Sequence, residues 1–347
     1  MFRRLVSVFT TKCWVNTKYL QIRHIEVSIV GAGNRIGSNL ALLLTQNPKI
    51  TKLNIYDDDD RVRGIGLELA YMSQGPKVVS YAGDNFLPAA VRYANLIVMV
   101  ARTPRRSGMS RDQMLAANAP AVQKLCKVIS EQNCDAFLAI STNPINSIVP
   151  FASALMLQYS TYNPFKICGI THIDTARCRS FAGNALNVSP RRLQIPVICG
   201  HSEETIVPLF SNLAPSTFSL DSCKSDTLTR LLRKAGTEVI NHKYGEESAV
   251  LCMAWSIGEF VERMVEALSG YESVVTCFSA NPHFGTRFFA GPTMVGPRGI
   301  IHVCGNLPMS EYETSLLNRS IPVLNKEVCS GENYINIMNE AGGLKRT

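Results

Sequence analysis

Between Ile25 and Gln46 the chain changes its hydrophobic period once, and the change falls on glycines. Ile25 to Val30 is apolar and β-branched, as a strand covered on both faces requires, and Ile36 to Gln46 carries its apolar residues at helical steps. Gly31-Ala32-Gly33-Asn34-Arg35-Ile36-Gly37 joins the two. A strand that runs straight into a helix cannot form a hairpin, so its sheet partner must be reached by a crossover. The same pattern recurs. Lys52 to Tyr56 reads as a second strand closed by Asp57, and Leu96 to Ala101 and Ala136 to Ser141 read as later ones. Helical patterns lie between them over Gly64 to Met72 and Gln113 to Gln132. Such alternation predicts an α/β fold with a doubly wound parallel sheet and right-handed crossovers.

After Asn143-Pro144 longer helical patterns mix with short strands, including a strand-like Arg192 to Ile198 and a helix-like Leu231 to His242. We therefore expect a sheet domain over residues 24–150 and a C-terminal α+β domain over 151–347. No repeat, low-complexity tract or long linker separates them. With 347 residues, 46% of them hydrophobic, the chain can bury a substantial core. No apolar run reaches the roughly 18 residues of a membrane-spanning helix, so no membrane insertion is expected.

The net charge of +8 raises the question of a polyanionic partner, but the charge is unevenly distributed. Residues 1–23 hold five basic residues (Arg3, Arg4, Lys12, Lys18 and Arg23) and no acid, so the remainder carries only +3. That balance, with no recognition motif, speaks against a nucleic-acid partner. The leading stretch places Phe2, Leu5, Val6 and Phe9 at helical spacing opposite Arg3, Arg4 and Ser7, the composition of a mitochondrial transit peptide, which implies the mitochondrial matrix. The eleven cysteines include no C-x-x-C pair and no clustering with histidine, so neither a metal site nor a redox dithiol is expected. They read as scattered, mostly buried small hydrophobes.

Three segments carry chemistry. In the glycine turn, absent side chains let backbone N–H groups approach a pyrophosphate at a helix start. Asp57 stands at the end of the next strand, 24 residues after Gly33, where a carboxylate accepts from both ribose hydroxyls and repels a 2′-phosphate; NAD is favoured over NADP. A Pro- and Gly-containing loop with Arg102, Arg105, Arg106 and Arg111 follows the strand ending at Ala101, at the sheet edge where open α/β sheets bind ligands. Asp174 and Arg177, spaced i, i+3, share one helical face, and His201 lies in Cys-Gly-His-Ser. An aspartate on one imidazole nitrogen leaves the other to exchange a proton, and an arginine beside it grips a carboxylate. Singly, these residues also read as a helix cap, a surface cation and a loop histidine.

Taken together, the blocks decide between those readings. Val-Gly-Ala at 30–32 with Gly37, Ile-Tyr-Asp at 55–57, Pro104-Arg105 through Gly-Met-Ser-Arg-Asp at 108–112, Thr-Asn-Pro-Ile-Asn at 142–146, Asp174-x-x-Arg177 and Pro-Val-Ile-x-Gly-His at 196–201 occur in that order. From about residue 24 onward the chain resembles the mitochondrial-type malate dehydrogenases of the lactate/malate dehydrogenase superfamily. The resemblance implies a Rossmann doubly wound sheet, a homodimer, and reversible hydride transfer between malate and NAD giving oxaloacetate and NADH. It also implies roles. His201 is the general acid/base and Asp174 orients it. Arg177 binds the C1 carboxylate, and Arg105 meets the second carboxylate. Arg111, closing with its loop, polarises the carbonyl, with Asn143 as a further donor. Gly31, Ala32, Gly33, Ile36, Gly37, Asp57, Asn118, Ser141, Thr142, Asn143 and Met253 match cofactor-contacting positions. The chain departs from the family pattern at Asn34, Arg35, Arg102 and Cys199, which stand at glycine positions, and at Ser202-Glu203-Glu204 after the histidine. These departures keep two alternatives open: a weakly active or silent paralogue serving as an oligomer partner, and a dehydrogenase for another 2-hydroxy acid such as lactate.

Overall fold

The computed structural model describes residues 24–103, 108–133 and 135–343; the leader expected at 1–23 lies outside them, as do Cys13 and Cys134. The first half runs β1 (Ile25–Val30), α1 (Arg35–Leu44), β2 (Ile50–Asp57), α2 (Arg61–Ala70), β3 (Lys77–Ala82), α3 (Leu87–Val91), β4 (Leu96–Met99), α4 (Arg111–Gln132), β5 (Phe137–Ile140), α5 (Ile145–Gln158) and β6 (Ile167–Ile170). The second half runs α6 (His172–Leu186), β7 (Val197–Cys199), β8 (Ile206–Pro208), α7 (Ser222–His242), α8 (Leu251–Leu268), β9 (Ser273–Ala280), β10 (Phe288–Gly296), β11 (Gly299–Val303) and α9 (Glu311–Gly343).

One sheet threads both halves in the order β3-β2-β1-β4-β5-β6-β9-β10-β7-β8, with β11 paired to β10. The β3 to β6 half is parallel throughout, a Rossmann-type arrangement; from β6–β9 onward the pairing is antiparallel. β1 lies between β2 and β4, so the order of winding reverses there and a crevice opens beyond the carboxyl ends of β1 and β4.

Every residue of β1 is buried, because helices cover both sheet faces. On one face the apolar residues of α3, α4, α5 and α9 pack together, including Leu87, Leu115, Ile148 and Leu324. On the other, α1, α2 and α8 contribute Leu40, Val62 and Ile257. Burying a leucine such as Leu40 contributes about 2 kcal/mol, enough to hold α1 over β1 and fix the turn between them. A third apolar cluster joins α6 and α7 to β7 and β8 through Cys178, Leu193, Ile206 and Leu232.

Two glycines set the closeness of that turn. At Gly31, φ is +99° and an added Cβ would lie 2.3 Å from the Ala101 nitrogen; at Gly37 it would lie 2.2 Å from the Gly31 oxygen. Only absent side chains let α1 descend so steeply from β1 beside the end of β4.

The structure corrects two boundaries. Pro190–Arg192 forms a short 3-10 turn, and over Arg192 to Ile198 the continuous ladder begins only at β7, with a single bridge between Gln194 and Ala214 before it. Pro196 has no N–H to donate to a ladder. α7 starts at Ser222, nine residues before Leu231, since the Asp221 side chain accepts from the Lys224 N–H and caps it. The long α9 closes over α5, where an added Cβ at Gly331 would meet the Ser147 oxygen at 2.0 Å.

Among the described cysteines, Cys126, Cys168, Cys178, Cys199, Cys277 and Cys304 are buried and Cys223, Cys252 and Cys329 are exposed, all unpaired in disulfides. No group of metal-ligating side chains occurs among the described residues, and no helix there is long and apolar enough to cross a membrane.

Candidate active site

Asp174 enters in the first turn of α6, where the helix dipole favours an anion. It is 1% exposed. Arg177 follows one turn later on the same face and lies over Gly236 of α7. The start of α6 is tied to α8 through Glu259, which accepts from His172 at 3.0 Å and from Arg179 at 3.0 Å. The His172 bond, with the Arg179 charge beside it, holds the Glu259 carboxyl below its ordinary range.

His201 sits in the tight connection between β7 and β8. Its backbone N–H donates to Asn146 Oδ1 at 2.9 Å, and its Nδ1 meets Asp174 Oδ2 at 2.6 Å. Ring and backbone are thus fixed from two different helices, α5 and α6. The approach demands Gly200, where an added Cβ would lie 2.4 Å from Thr205 Oγ1 and 2.7 Å from Asn146 Nδ2. Cys199 just before it adopts φ of +84°, a conformation that glycine takes without strain and that an L side chain rarely adopts.

With Nδ1 committed to a buried carboxylate, Nε2 is the ring nitrogen that can exchange a proton with a ligand. His201 lines a cavity of about 110 Å³ together with Arg102, Arg111, Asn118, Asn143, Asp174, Arg177 and Met253. Arg177 forms no ion pair among the described residues, so a ligand carboxylate there gains a charge partner without displacing one. Arg111, the first residue of α4, is paired through Nε with Glu327 of α9 at 3.2 Å. Arg105 lies outside the described residues.

The remaining residues singled out from sequence divide by what their side chains do. Asp57 Oδ2 accepts from the Gly33 N–H at 2.8 Å, and a Cβ on Gly33 would stand 2.8 Å from the carboxyl carbon. The second glycine, Gly33, is therefore there to let the acid and the turn touch. Asn118 is 2% exposed and bridges two backbones: Oδ1 accepts from the Thr103 N–H at 2.7 Å and Nδ2 donates to the Asn143 carbonyl at 2.8 Å. Thr142 is fully buried and donates to the Ala101 carbonyl at 2.6 Å, and the Ser141 N–H donates to Met99 at 2.8 Å. The side-chain bonds give Asn118 and Thr142 a framing part, aligning the loops that flank the crevice, while the Ser141 bond is a backbone one that continues the β4–β5 ladder. Ala32 and Ile36 are buried behind the turn.

Sequence reading missed the network behind the histidine. Glu327 Oε2 accepts from Asn146 Nδ2 at 2.7 Å and from Ser202 Oγ at 3.1 Å, while its Oε1 holds Arg111. One carboxylate from α9 thus ties the His201 connection to Arg111. Asn146 was visible in the Thr-Asn-Pro-Ile-Asn block, but nothing around Glu327 distinguishes it from the other charges of an amphipathic helix. Arg233 also lines the cavity, its Nε donating to the Ile206 carbonyl at 2.8 Å. Glu203 reaches the same cavity and accepts from the Thr237 hydroxyl.

A second hollow shares Arg102, Thr103 and Asn118 with this cavity and is lined further by Gly33, Asn34 and Asp57. An acid at one end, a glycine turn along it and an imidazole–carboxylate pair at the other is the layout of a dinucleotide crevice.

A family model described as "lactate/malate dehydrogenase, NAD binding domain" matches residues 25–169, and one described as "lactate/malate dehydrogenase, alpha/beta C-terminal domain" matches residues 171–335. The chain belongs to the lactate/malate dehydrogenase family. A relative named mitochondrial malate dehydrogenase from Caenorhabditis elegans is 35% identical over 312 residues, covering 89% of this chain and 91% of that protein. The pig protein of that name, from Sus scrofa, is 33% identical over 315 residues, covering 90% and 92%. Among solved structures, a malate dehydrogenase from Cryptosporidium parvum superposes with a TM-score of 0.77 at 23% identity, covering 89% of this chain and 99% of that one. The lactate dehydrogenase of the same organism, complexed with lactic acid and NAD, also gives 0.77, at 20% identity, covering 89% and 98%. As a dehydrogenase of this family the chain is an NAD-dependent oxidoreductase, and the Asp57 carboxylate beside the glycine turn suits NAD, since its charge repels a 2′-phosphate.

Proposed function

We propose that the chain is a malate dehydrogenase that interconverts malate and oxaloacetate, acting as a homodimer in the mitochondrial matrix. The observation that carries the reading is the His201–Asp174 pair beside Arg177 in one cavity at the end of the dinucleotide crevice. Dicarboxylate preference is supported by Arg105 in its matching block and by the names of the mitochondrial relatives; the matrix is supported by those names and by the composition of residues 1–23.

Bound in the crevice, NAD supplies the hydride acceptor and NADH the donor. The chain's own residues do the rest. In malate oxidation His201 Nε2 takes the proton of the C2 hydroxyl while Asp174 holds the ring orientation and stabilises the imidazolium; in the reverse direction the same nitrogen returns it. Arg177 fixes the C1 carboxylate through parallel hydrogen bonds, so that C2 presents one face to the cofactor. Arg105 takes the second carboxylate. Arg111 and Asn143 polarise the C2 carbonyl.

A second reading, a dehydrogenase for a monocarboxylic 2-hydroxy acid, is favoured by Glu203, an acid that lines the same cavity and whose charge opposes a second substrate carboxylate. Steady-state turnover with NADH decides between them. The malate reading expects kcat/KM for oxaloacetate to exceed that for pyruvate by about 10²-fold or more, the span of a site built for a charged group that is then left unpaired. Equal values, or a preference for pyruvate, overturn it.

A further inference from the structure

The crevice contains groups of this chain on the very atoms that a nucleotide pyrophosphate requires. Asn34 Oδ1 accepts from the Ile36 N–H at 2.9 Å and from the Gly37 N–H at 3.0 Å, capping α1 with its own amide. Those are first-turn donors, which a dinucleotide-binding turn otherwise offers to phosphate oxygens. The amide is held in that pose by a second bond, from Nδ2 to the Val100 carbonyl at 2.9 Å.

Charge is matched in the same way. Glu247, in the connection between α7 and α8, reaches across the crevice to Arg35 of the glycine turn, with Nη1 and Oε1 2.7 Å apart, and its other oxygen meets Lys243 Nζ at 2.8 Å. Arg102 lines the same hollow, alongside Gly33, Asn34, Arg35 and Glu247. It makes no ion pair among the described residues; burial pushes its guanidinium down from the ordinary arginine value, and Glu247 is the described charge that counteracts this. A half-buried cation without a paired anion gains from any anion that arrives.

We propose that Glu247 is a built-in counter-ion of the crevice: NAD displaces its carboxylate from Arg35, and Arg35 and Arg102 then hold the cofactor's pyrophosphate in place of the amide donors that Asn34 occupies. Two residues at positions where the family has glycine thus do jointly, through side chains, what the turn otherwise does through its backbone. The inference rests on NAD binding by the family and is independent of which 2-hydroxy acid is the substrate. No bond is made or broken; the exchange is of one anion for another on the same cations.

The test is fluorescence titration of the purified full chain with NADH in the absence of substrate. Glu247→Gln removes the competing anion and tightens NADH about two- to fivefold, the range that one exposed ion pair covers. Glu246→Gln makes the same change of net charge next door, where no ion pair to Arg35 exists, and leaves the affinity within about twofold. Arg102→Ala weakens NADH about tenfold or more, as loss of a charged hydrogen-bond partner does. Asn34→Gly, a replacement that helix caps tolerate, frees the amide donors and restores at least half of that loss when combined with Arg102→Ala. Unchanged or weaker binding by Glu247→Gln, equal tightening by Glu246→Gln, or no rescue by Asn34→Gly overturns the proposal. Unfolding midpoints taken alongside identify any variant that has simply lost its fold.

Discussion

His201→Gln lowers kcat for oxaloacetate reduction by about 10²- to 10⁴-fold while NADH still binds with the parent affinity, because the loss is confined to proton transfer at the substrate's C2 oxygen. The ring is held by the Asp174 carboxylate and the backbone behind it by Asn146, and neither touches the Asp57 end of the crevice. Asp174→Asn is the companion experiment. It keeps the shape but presents an amide to Nδ1, which favours the wrong tautomer and removes the charge that stabilises the imidazolium, so kcat falls by a similar order while the fold is retained. Stopped-flow single turnovers separate this from slow product release: the loss must appear in the first turnover. Parent-like first-turnover rates in either variant contradict the assignment of the pair.

The second large effect separates the two substrate arginines. Arg177→Met costs kcat/KM about 10²- to 10³-fold for oxaloacetate and pyruvate alike, because both present a C1 carboxylate and each loses a charge-assisted bidentate contact. Arg105→Gln instead removes a similar factor from oxaloacetate alone and leaves pyruvate within about threefold, or improves it, since no buried cation is then left facing a methyl group. Steady-state kinetics of both variants on both substrates measure this as a crossed pattern. Parallel losses in both variants contradict separate roles for the two carboxylates.

How much of this was legible in the sequence depended on whether the signal was local. The β1–glycine–α1 unit was, because period, β-branching and glycine spacing all act within about twenty residues. The shared face of Asp174 and Arg177 was legible for the same reason: i, i+3 on a helix is a local rule, and α6 obeys it. Contact between Asp174 and His201 was carried only by the resemblance, since the two approach through the pairing of β7 with β8 and the packing of α6 beside them, which no period encodes.

The network around Glu327 was not legible at all. A glutamate in a long amphipathic helix gains its meaning from α5 and the His201 connection, which meet it only in the folded chain. The cap at Asn34 is an instructive miss. An asparagine just before a helix is an ordinary N-cap signal, but inside a glycine-rich turn it read as a substitution in a ligand cradle rather than as an occupant of it. The strand expected over Arg192 to Ile198 is shortened to β7 because Leu193 and Ile195 owe their apolar character to the cluster with α6, while Pro196 interrupts the ladder.

The most direct test of the account is the fate of the transferred hydrogen. Purified protein is mixed with oxaloacetate and NADH deuterated at nicotinamide C4, and the product is examined by NMR. The account predicts malate carrying one deuterium at C2, formed by the parent chain and suppressed by His201→Gln. Protein that binds NADH yet yields no labelled malate, or yields labelled lactate from pyruvate more readily, contradicts it.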